Sequence, residues 1–306
     1  MADVLNNTTN VKFIPTIIAQ KALGRFGSYM NLAKTVAREF EFTAATQGET
    51  IKVPKRGAVQ ANAKAQGTVV TKQNPTATDV SVTLDQHFEV TLMIDDVTKV
   101  LQNQDTLDGY AEDGAIALAE TVEEALADLY ASVPIGQVVS FNESSAATKE
   151  QSFLEAREKL VMNKVPKMAT KYGYMHPSLI TKLLVVDKFS RADSLGKAGV
   201  VADGAITRLG GIDIFESQMV VGTGSPAQYH NLIYTKNAFV LAARPLPSVG
   251  NEFGSKQQVI NDPNIGMGLR VTSSYDPDLL GMQITLDVLF GVGVLDNRCV
   301  VELRSA

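Results

Sequence analysis

At 306 residues the chain is long enough for one large domain or two of ordinary size. Its 45% apolar and 20% charged residues are those of a globular chain, and a net charge of −5 argues against a dedicated nucleic-acid binder, which carries a basic balance. The single cysteine, Cys299, excludes an intrachain disulfide, so packing or neighbouring chains must hold the fold.

The N-terminal stretch MADVLNNTTN has neither a basic nor an apolar signal region, and no run approaches the roughly 18 apolar residues of a membrane span. A soluble product of cytoplasmic synthesis without a membrane partner is therefore expected. From Phe13 to Phe42 the chain is amphipathic, with Ile14, Ile17, Ile18, Met30, Leu32 and Val36 interrupted by Gly24 and Gly27. This predicts an extended arm followed by one or two short helices, the close glycines arguing against a single one.

Thr50–Val53 and Val80–Leu84 read as a pair of short strands. Between them, Pro54–Asp79 carries only Val59, Val69 and Val70 as branched or aromatic apolar residues. Such a loop cannot build its own core, and loops of this length usually have a function. Phe88, Val90, Leu92 and Ile94 alternate as a further strand.

The stretch Asp105–Ser132 predicts one long helix, with Asp105 as N-cap and a stop at Pro134. Ala111, Ala115, Leu118, Val122, Ala125 and Leu129 form an apolar stripe on a rod about 40 Å long. Between Lys99 and Lys149 there is no Lys or Arg against nine Asp or Glu, whereas residues 1–75 hold ten Lys or Arg against four Asp or Glu. An acidic beam suggests a basic partner. Glu123, Glu124 and Asp128 are expected on its solvated face.

Thr148 and Gln151 have capping-box spacing ahead of a second helix, Lys149–Asn163, and His176-Pro177-Ser178 opens a third with Leu179, Ile180, Leu183 and Leu184 inward. Asp187–Gly204 is polar and glycine-punctuated, which predicts a protruding loop. Strands follow at Ile212–Phe215, Leu232–Thr235, Phe239–Ala243, Leu269–Ser273, Ile284–Phe290 and Val300–Leu303. The pattern is α+β, without internal repeats.

No chemistry-bearing motif emerges. His87, His176 and His230 stand apart from any metal-ligand spacing, and Cys299, set in an apolar strand, reads as a small hydrophobe. The pairs Gly222-Thr223-Gly224, Gly266-Met267-Gly268 and Gly291-Val292-Gly293 never continue into a phosphate-binding fingerprint, and read as turns or bulges. No catalytic, cofactor-binding or metal-binding residue and no cofactor is expected.

The order of parts resembles the major capsid protein of tailed bacteriophages, with the Hong Kong ninety-seven type fold. Phe13-Ile14-Pro15, Lys164-Val165-Pro166, His176-Pro177, RLGGIDIFESQ from Arg208 to Gln218, Arg244-Pro245-Leu246, Ser274-Tyr275-Asp276 and Leu286–Gly291 are similar to short patterns of the podovirus coat-protein subfamily. The chain lacks room for that subfamily's insertion domain. The resemblance implies an N-terminal arm (1–48), an extended loop (49–85), a peripheral domain (86–134) with spine helix 105–132, an axial domain (135–245) and a return to the peripheral domain (246–306).

What the resemblance implies in function is a structural, non-enzymatic protein of the virion. Identical copies would form pentamers and hexamers of an icosahedral head around double-stranded DNA, touched non-specifically, with a portal protein and a separate scaffolding protein as partners. Some relatives crosslink a loop lysine to an asparagine; Lys55, Lys64 and Lys72, with Asn261, Asn264 and Asn297, are the residue types available. The charge asymmetry suggests that Lys55, Arg56 and Lys64 of one subunit lie over Glu112, Glu120 and Glu124 of another. Gly109 and Gly114 suggest a hinge in the spine. Two rival expectations are an encapsulin-like compartment housing a cargo enzyme and an α+β enzyme with an unrecognised site.

Overall fold

The computed structural model describes residues 15–38, 50–55, 57, 59–95, 104–166, 168–186, 206, 208–247, 256–262 and 267–305. The chain opens with helix α1 (Pro15–Tyr29) and the single turn α2 (Leu32–Thr35), followed by strands β1 (Thr50–Lys55), β2 (Thr78–Thr83) and β3 (Gln86–Asp95). The long helix α3 (Gln104–Ala127) runs on as a 3-10 stretch, Asp128–Ser132. Strand β4 (Val138–Ser140), helix α4 (Ala146–Met162), strand β5 (Lys171–Met175) and helix α5 (Pro177–Leu184) come next. Among the described residues nine strands follow: β6 (Arg208–Leu209), β7 (Ile212–Glu216), β8 (Gly222–Thr223), β9 (Gln228–Thr235), β10 (Phe239–Ala243), β11 (Lys256–Asp262), β12 (Met267–Asp276), β13 (Gly281–Val294) and β14 (Val300–Ser305).

Several boundaries differ from the sequence reading. α1 passes through both Gly24 and Gly27, because Ala22, Phe26 and Met30 are wholly buried and their burial outweighs about 1 kcal/mol per glycine. α3 begins at Gln104, which puts Asp105 inside the helix and not at its cap. The buried stripe of α3 keeps Ala111, Ala115, Leu118 and Val122 but ends on Leu126 and Ala127, leaving Ala125 and Leu129 half-buried. A straight helix drifts by about 20° per heptad against a strict seven-residue pattern, which accounts for the shift. α4 starts three residues earlier than expected: Ser145 and Thr148 exchange the two bonds of a capping box, at 3.2 and 2.9 Å. His176 caps α5 as the sequence suggests, its Nδ1 accepting the Ser178 N–H at 3.2 Å. The protruding loop expected at Asp187–Gly204 lies outside the described residues.

The first sheet is organised on β13. β3 pairs along one edge, Gly281 to Phe290, while β12 and then β10 share the other. Phe290 is opposite both Gln86 and Ala243, so β10 continues the edge that β12 leaves. β11 adds to the far side of β12. The second sheet has the order β4-β14-β9-β5-β7-β6, with β8 beside β9. Three cores result. One lies between α1, α3 and the first sheet and continues to Tyr174, Leu232 and Tyr234 of the second, which ties the two sheets together. Another packs α4 and α5 on the opposite face of the second sheet, through Phe153, Leu160, Leu179 and Leu183. The third seats Ile51, Val53, Val82 and Leu84 of the loop root on Val240 and Ala242 of β10.

Candidate assembly surfaces

The root of the extended loop is antiparallel, from Thr50 opposite Thr83 to Lys55 opposite Thr78. Beyond it, among the described residues, the ribbon is held by backbone contacts, the Gln73 amide and the Thr68 hydroxyl. A Cβ on Gly57 would meet the Thr76 carbonyl oxygen at 2.3 Å, so only glycine permits that approach. Further out the Gln73 side chain accepts the Gln60 N–H at 2.9 Å and donates to the Gln60 carbonyl at 2.5 Å. Gly67, at φ +84°, makes the tip turn. Residues 59–79 are all exposed, Val69 at 88%. A two-stranded ribbon that buries nothing is marginal by itself, and a covering surface is required to hold it.

At the root, Lys55 Nζ lies 3.1 Å from Asp296 Oδ1, and Arg298 Nη2 lies 2.7 Å from Asp296 Oδ2. Burial works against the charged Asp296 carboxyl, but bonds from Arg298 and Lys55 outweigh it and hold its pKa down at about 2. β2 crosses β13 where β13 has no side chains: a Cβ on Gly291 would come within 2.0 Å of the Thr83 carbonyl oxygen, and one on Gly293 within 3.1 Å of Val82. This explains the glycine pair. Gly224, at φ +85°, serves the turn between β8 and β9, and Gly266 lies outside the described residues.

The long helix differs from its expected form at Glu123. That residue is not on a solvated face; it is 2% exposed. Asn31, at the N-cap of α2, makes no side-chain cap bond. Glu123 replaces it, its Oε2 and Oε1 accepting the N–H groups of Leu32 at 3.0 Å and Ala33 at 2.9 Å. Burial raises the pKa of Glu123 and these bonds oppose the rise. Burial, and the charge of Glu123, push the Tyr174 hydroxyl up as well; it donates to Ser217 Oγ at 2.8 Å.

The other expected contact residues are spread over the same surfaces. Glu112 accepts from Arg25 Nε of α1 at 2.9 Å, so part of the basic complement of the acidic helix is in its own chain. Glu120 is half-buried and lines a cleft of about 480 Å³ with Tyr29, Glu123 and Glu216. Glu124 and Lys64 are exposed, and Arg56 lies outside the described residues. A Cβ on Gly114 would sit 3.2 Å from Val90 Cγ1 and 3.4 Å from Leu286 Cδ1, whereas Gly109 faces open space.

The histidines have structural partners. His87 Nε2 lies 3.0 Å from the buried Asp287, which also takes two bonds from Arg270. His230 bonds Glu302 and Thr223, each at 2.7 Å, and stacks on Tyr130; His176 stacks on Tyr229. Cys299 is in a 3-10 turn, Asn297–Cys299, and not in the strand the sequence suggests; burial pushes its thiol up, which disfavours the nucleophilic thiolate. Among the described residues no group of three His, Cys, Asp or Glu is placed to hold a metal ion, and no helix is long and apolar enough to cross a membrane.

No family model and no curated protein matches the chain. Solved structures do. A protein of Mycobacterium phage Che8 is 20% identical, over 91% of this chain and 90% of its own, with a TM-score of 0.65. The capsid of cyanophage P-SCSP1u follows at 18% identity, 85% and 84% coverage and a TM-score of 0.60. The virus-like particle from Pyrococcus furiosus is 9% identical over 94% and 98%, with a TM-score of 0.54. The fold is thus shared along most of each chain: this protein has the Hong Kong ninety-seven type fold of the tailed-phage capsid proteins.

Proposed function

We propose that the chain is the major capsid protein of a tailed phage, a structural subunit whose identical copies form the pentamers and hexamers of an icosahedral head. The observation that carries this reading is the ribbon 59–79, exposed along its length on a chain with a capsid-protein fold. A neighbouring subunit supplies the surface the ribbon lacks. The virion, with packaged double-stranded DNA, a portal protein and a separate scaffolding protein, is the setting this function requires.

The proposed parts are the arm (1–48), loop (49–85), peripheral domain (86–134), axial domain (135–245) and peripheral return (246–306). Sheet membership crosses that division twice, since β10 belongs with β3, β12 and β13, and β14 with β5 and β9. Between subunits, Lys55, Arg56 and Lys64 are proposed to lie over Glu112, Glu120 and Glu124. With Lys55 and Glu112 already paired in their own chain, Lys64 against Glu120 and Glu124 is the better-supported contact. Exposed pairs contribute about 0–1 kcal/mol each, so they set orientation more than affinity. Gly109 and Gly114 are the proposed points at which the spine bends.

The Pyrococcus furiosus likeness favours a second reading, a protein compartment that houses cargo. Native particles containing double-stranded DNA support the phage head; protein cargo supports the compartment. Gel filtration and negative-stain microscopy of the chain, alone and with a scaffolding partner, test both. Megadalton rings or shells are expected. A monomer under every condition refutes both.

A further inference from the structure

Helix α5 is short, and its first turn is closed by a ring that can take up a proton. His176 stands at the N-cap, with Pro177 at the first helical position. Its Nδ1 accepts the Ser178 N–H at 3.2 Å, so the neutral ring carries its proton on Nε2. That acceptor does the work of the side-chain oxygen in a usual cap; unlike the oxygen of Ser or Asn, it is lost when the ring gains a proton.

The ring is fixed in place. Tyr229 of β9 stacks on it, with centroids 3.6 Å apart and planes 9° from parallel. The His176 N–H donates to Asn231 Oδ1 at 2.7 Å, and the buried Asn231 donates in turn to the Leu303 carbonyl and Ser305 Oγ of β14, at 2.9 and 3.0 Å. Backbone and ring are both tied to the second sheet, so a change of protonation falls on the cap.

From α5 the charge that acts on the ring is Lys182, whose Nζ lies 2.5 Å from Glu143. β9 presents Tyr229 and the uncharged Asn231, and β7 brings Glu216 opposite Met175, the residue before His176. Burial and the Lys182 charge hold the ring below its ordinary 6.5. The Tyr229 face attracts a cation, and Ser178 Oγ, 2.8 Å from Nδ1, can accept from a protonated ring. Neither gives the Ser178 N–H a new acceptor, and a positive ring at a helix N-terminus opposes the helix dipole.

We propose that His176 is a proton switch for α5: neutral, it closes the first turn of the helix; protonated, it opens that turn and loosens α5 from the second core. Leu179, Ile180 and Leu183 are the buried side of α5, so loosening uncovers apolar surface beside α4. The contribution of the neutral cap is complete above 6.5 and declines as pH falls through the lower folded value. The switch belongs to the subunit and stands or falls apart from the shell reading.

Hydrogen exchange of the full chain at about pH 7.5 and about pH 5.5, corrected for the intrinsic pH dependence of amide exchange, tests it. Exchange across Pro177–Leu184 is expected to rise about tenfold at the lower pH while that of α4 stays level. His176→Asn keeps a capping oxygen without a titrating ring and should leave α5 equally protected under both conditions. Lys182→Gln removes the neighbouring charge and should move the midpoint of the rise upward. A level profile in the unaltered chain, the same rise in His176→Asn, which assigns the proton to Glu143 or another group, α4 opening in step with α5, or a midpoint that Lys182→Gln leaves in place would each overturn the switch.

Discussion

The carboxylate of Glu123 lies 3.0 Å from the backbone nitrogen of Leu32, a capping bond between positions 91 apart in the chain. With Ala33 it closes the N-terminus of α2 and fixes the N-terminal helices to the long one. Glu123→Ala strands two buried N–H groups, each a loss of about 1–3 kcal/mol, and should lower the melting temperature clearly. Glu123→Gln keeps one acceptor but turns its amide N–H toward the second donor, so an intermediate loss is expected. An unchanged melt for the alanine variant would refute the capping role.

The same carboxylate gives a pH signature opposite to that of Asp296. Burial raises the folded pKa of Glu123 above its ordinary 4.5, so its contribution is full below that value and declines as pH rises through the folded value. Asp296, held at about 2 against an ordinary 3.8, contributes fully above 3.8 and loses that contribution as pH falls through 2. Both substitutions fix the side chain in its neutral form, so as pH rises from the acid limit wild type should lose stability relative to Glu123→Gln and gain it relative to Asp296→Asn. Parallel curves across that range contradict the assignment.

Two glycines separate folding from assembly. Gly291→Ala drives a Cβ into the Thr83 carbonyl within 2.0 Å, lifts the loop root from β13 and should destabilise the subunit by about 2 kcal/mol or more. Gly57→Ala acts beyond the root, at 2.3 Å from Thr76, and should leave the melt close to wild type while impairing particle formation. Melting curves and micrographs of both variants provide the comparison.

Gly109 and Gly114 should also diverge. Gly109→Ala meets no atom and gains helix propensity, which predicts a stabilisation of about 0.5–1 kcal/mol. Gly114→Ala must move Val90 and Leu286 by a few tenths of an ångström and is expected to gain nothing. If the spine bends at these glycines, Gly109→Ala particles expand more slowly; unchanged expansion kinetics in both variants removes the hinge.

Lys64→Glu should slow assembly about two- to fivefold at low salt, the scale of an exposed pair, and Glu124→Lys in the same chain should restore it. Light scattering at rising salt follows the effect, which should fade as the Debye length shortens to about 3 Å near 1 M. A salt-independent defect would point away from charge pairing.

Much of this fold is legible in residue order. Period-two alternation marks β3 and β13, Ser-Pro-type signals mark the helix starts within a few residues, and the lack of large apolar residues in 54–79 marks the ribbon. What escapes is set by distant partners. Strand β5, KYGYM, has a lysine and a glycine at inward positions; Gly173 is there because Ile212 and Met175 crowd its Cα, a fact carried by other parts of the chain. Glu123 and Glu124 are the same letter, and only the uncapped α2 distinguishes the buried one from the exposed one. A groove beside α4 is equally silent, since Leu154, Val161 and Met162, which line it, read as any apolar stripe until the sheet takes the opposite face of the helix.

The place of β14 has a consequence for how the chain reaches this form. Residues 300–305 lie between β4 and β9, in parallel register with Val138–Ser140 and antiparallel to Tyr229–Tyr234 and their neighbours. Until they emerge from the ribosome, the strands on either side are open edges, and every pairing that closes the gap spans a long separation in sequence. Such high contact order slows folding and leaves edges available to other chains. The chain must therefore pass through a sticky interval during its own synthesis, and if it is a shell subunit that interval comes before any shell exists to receive it.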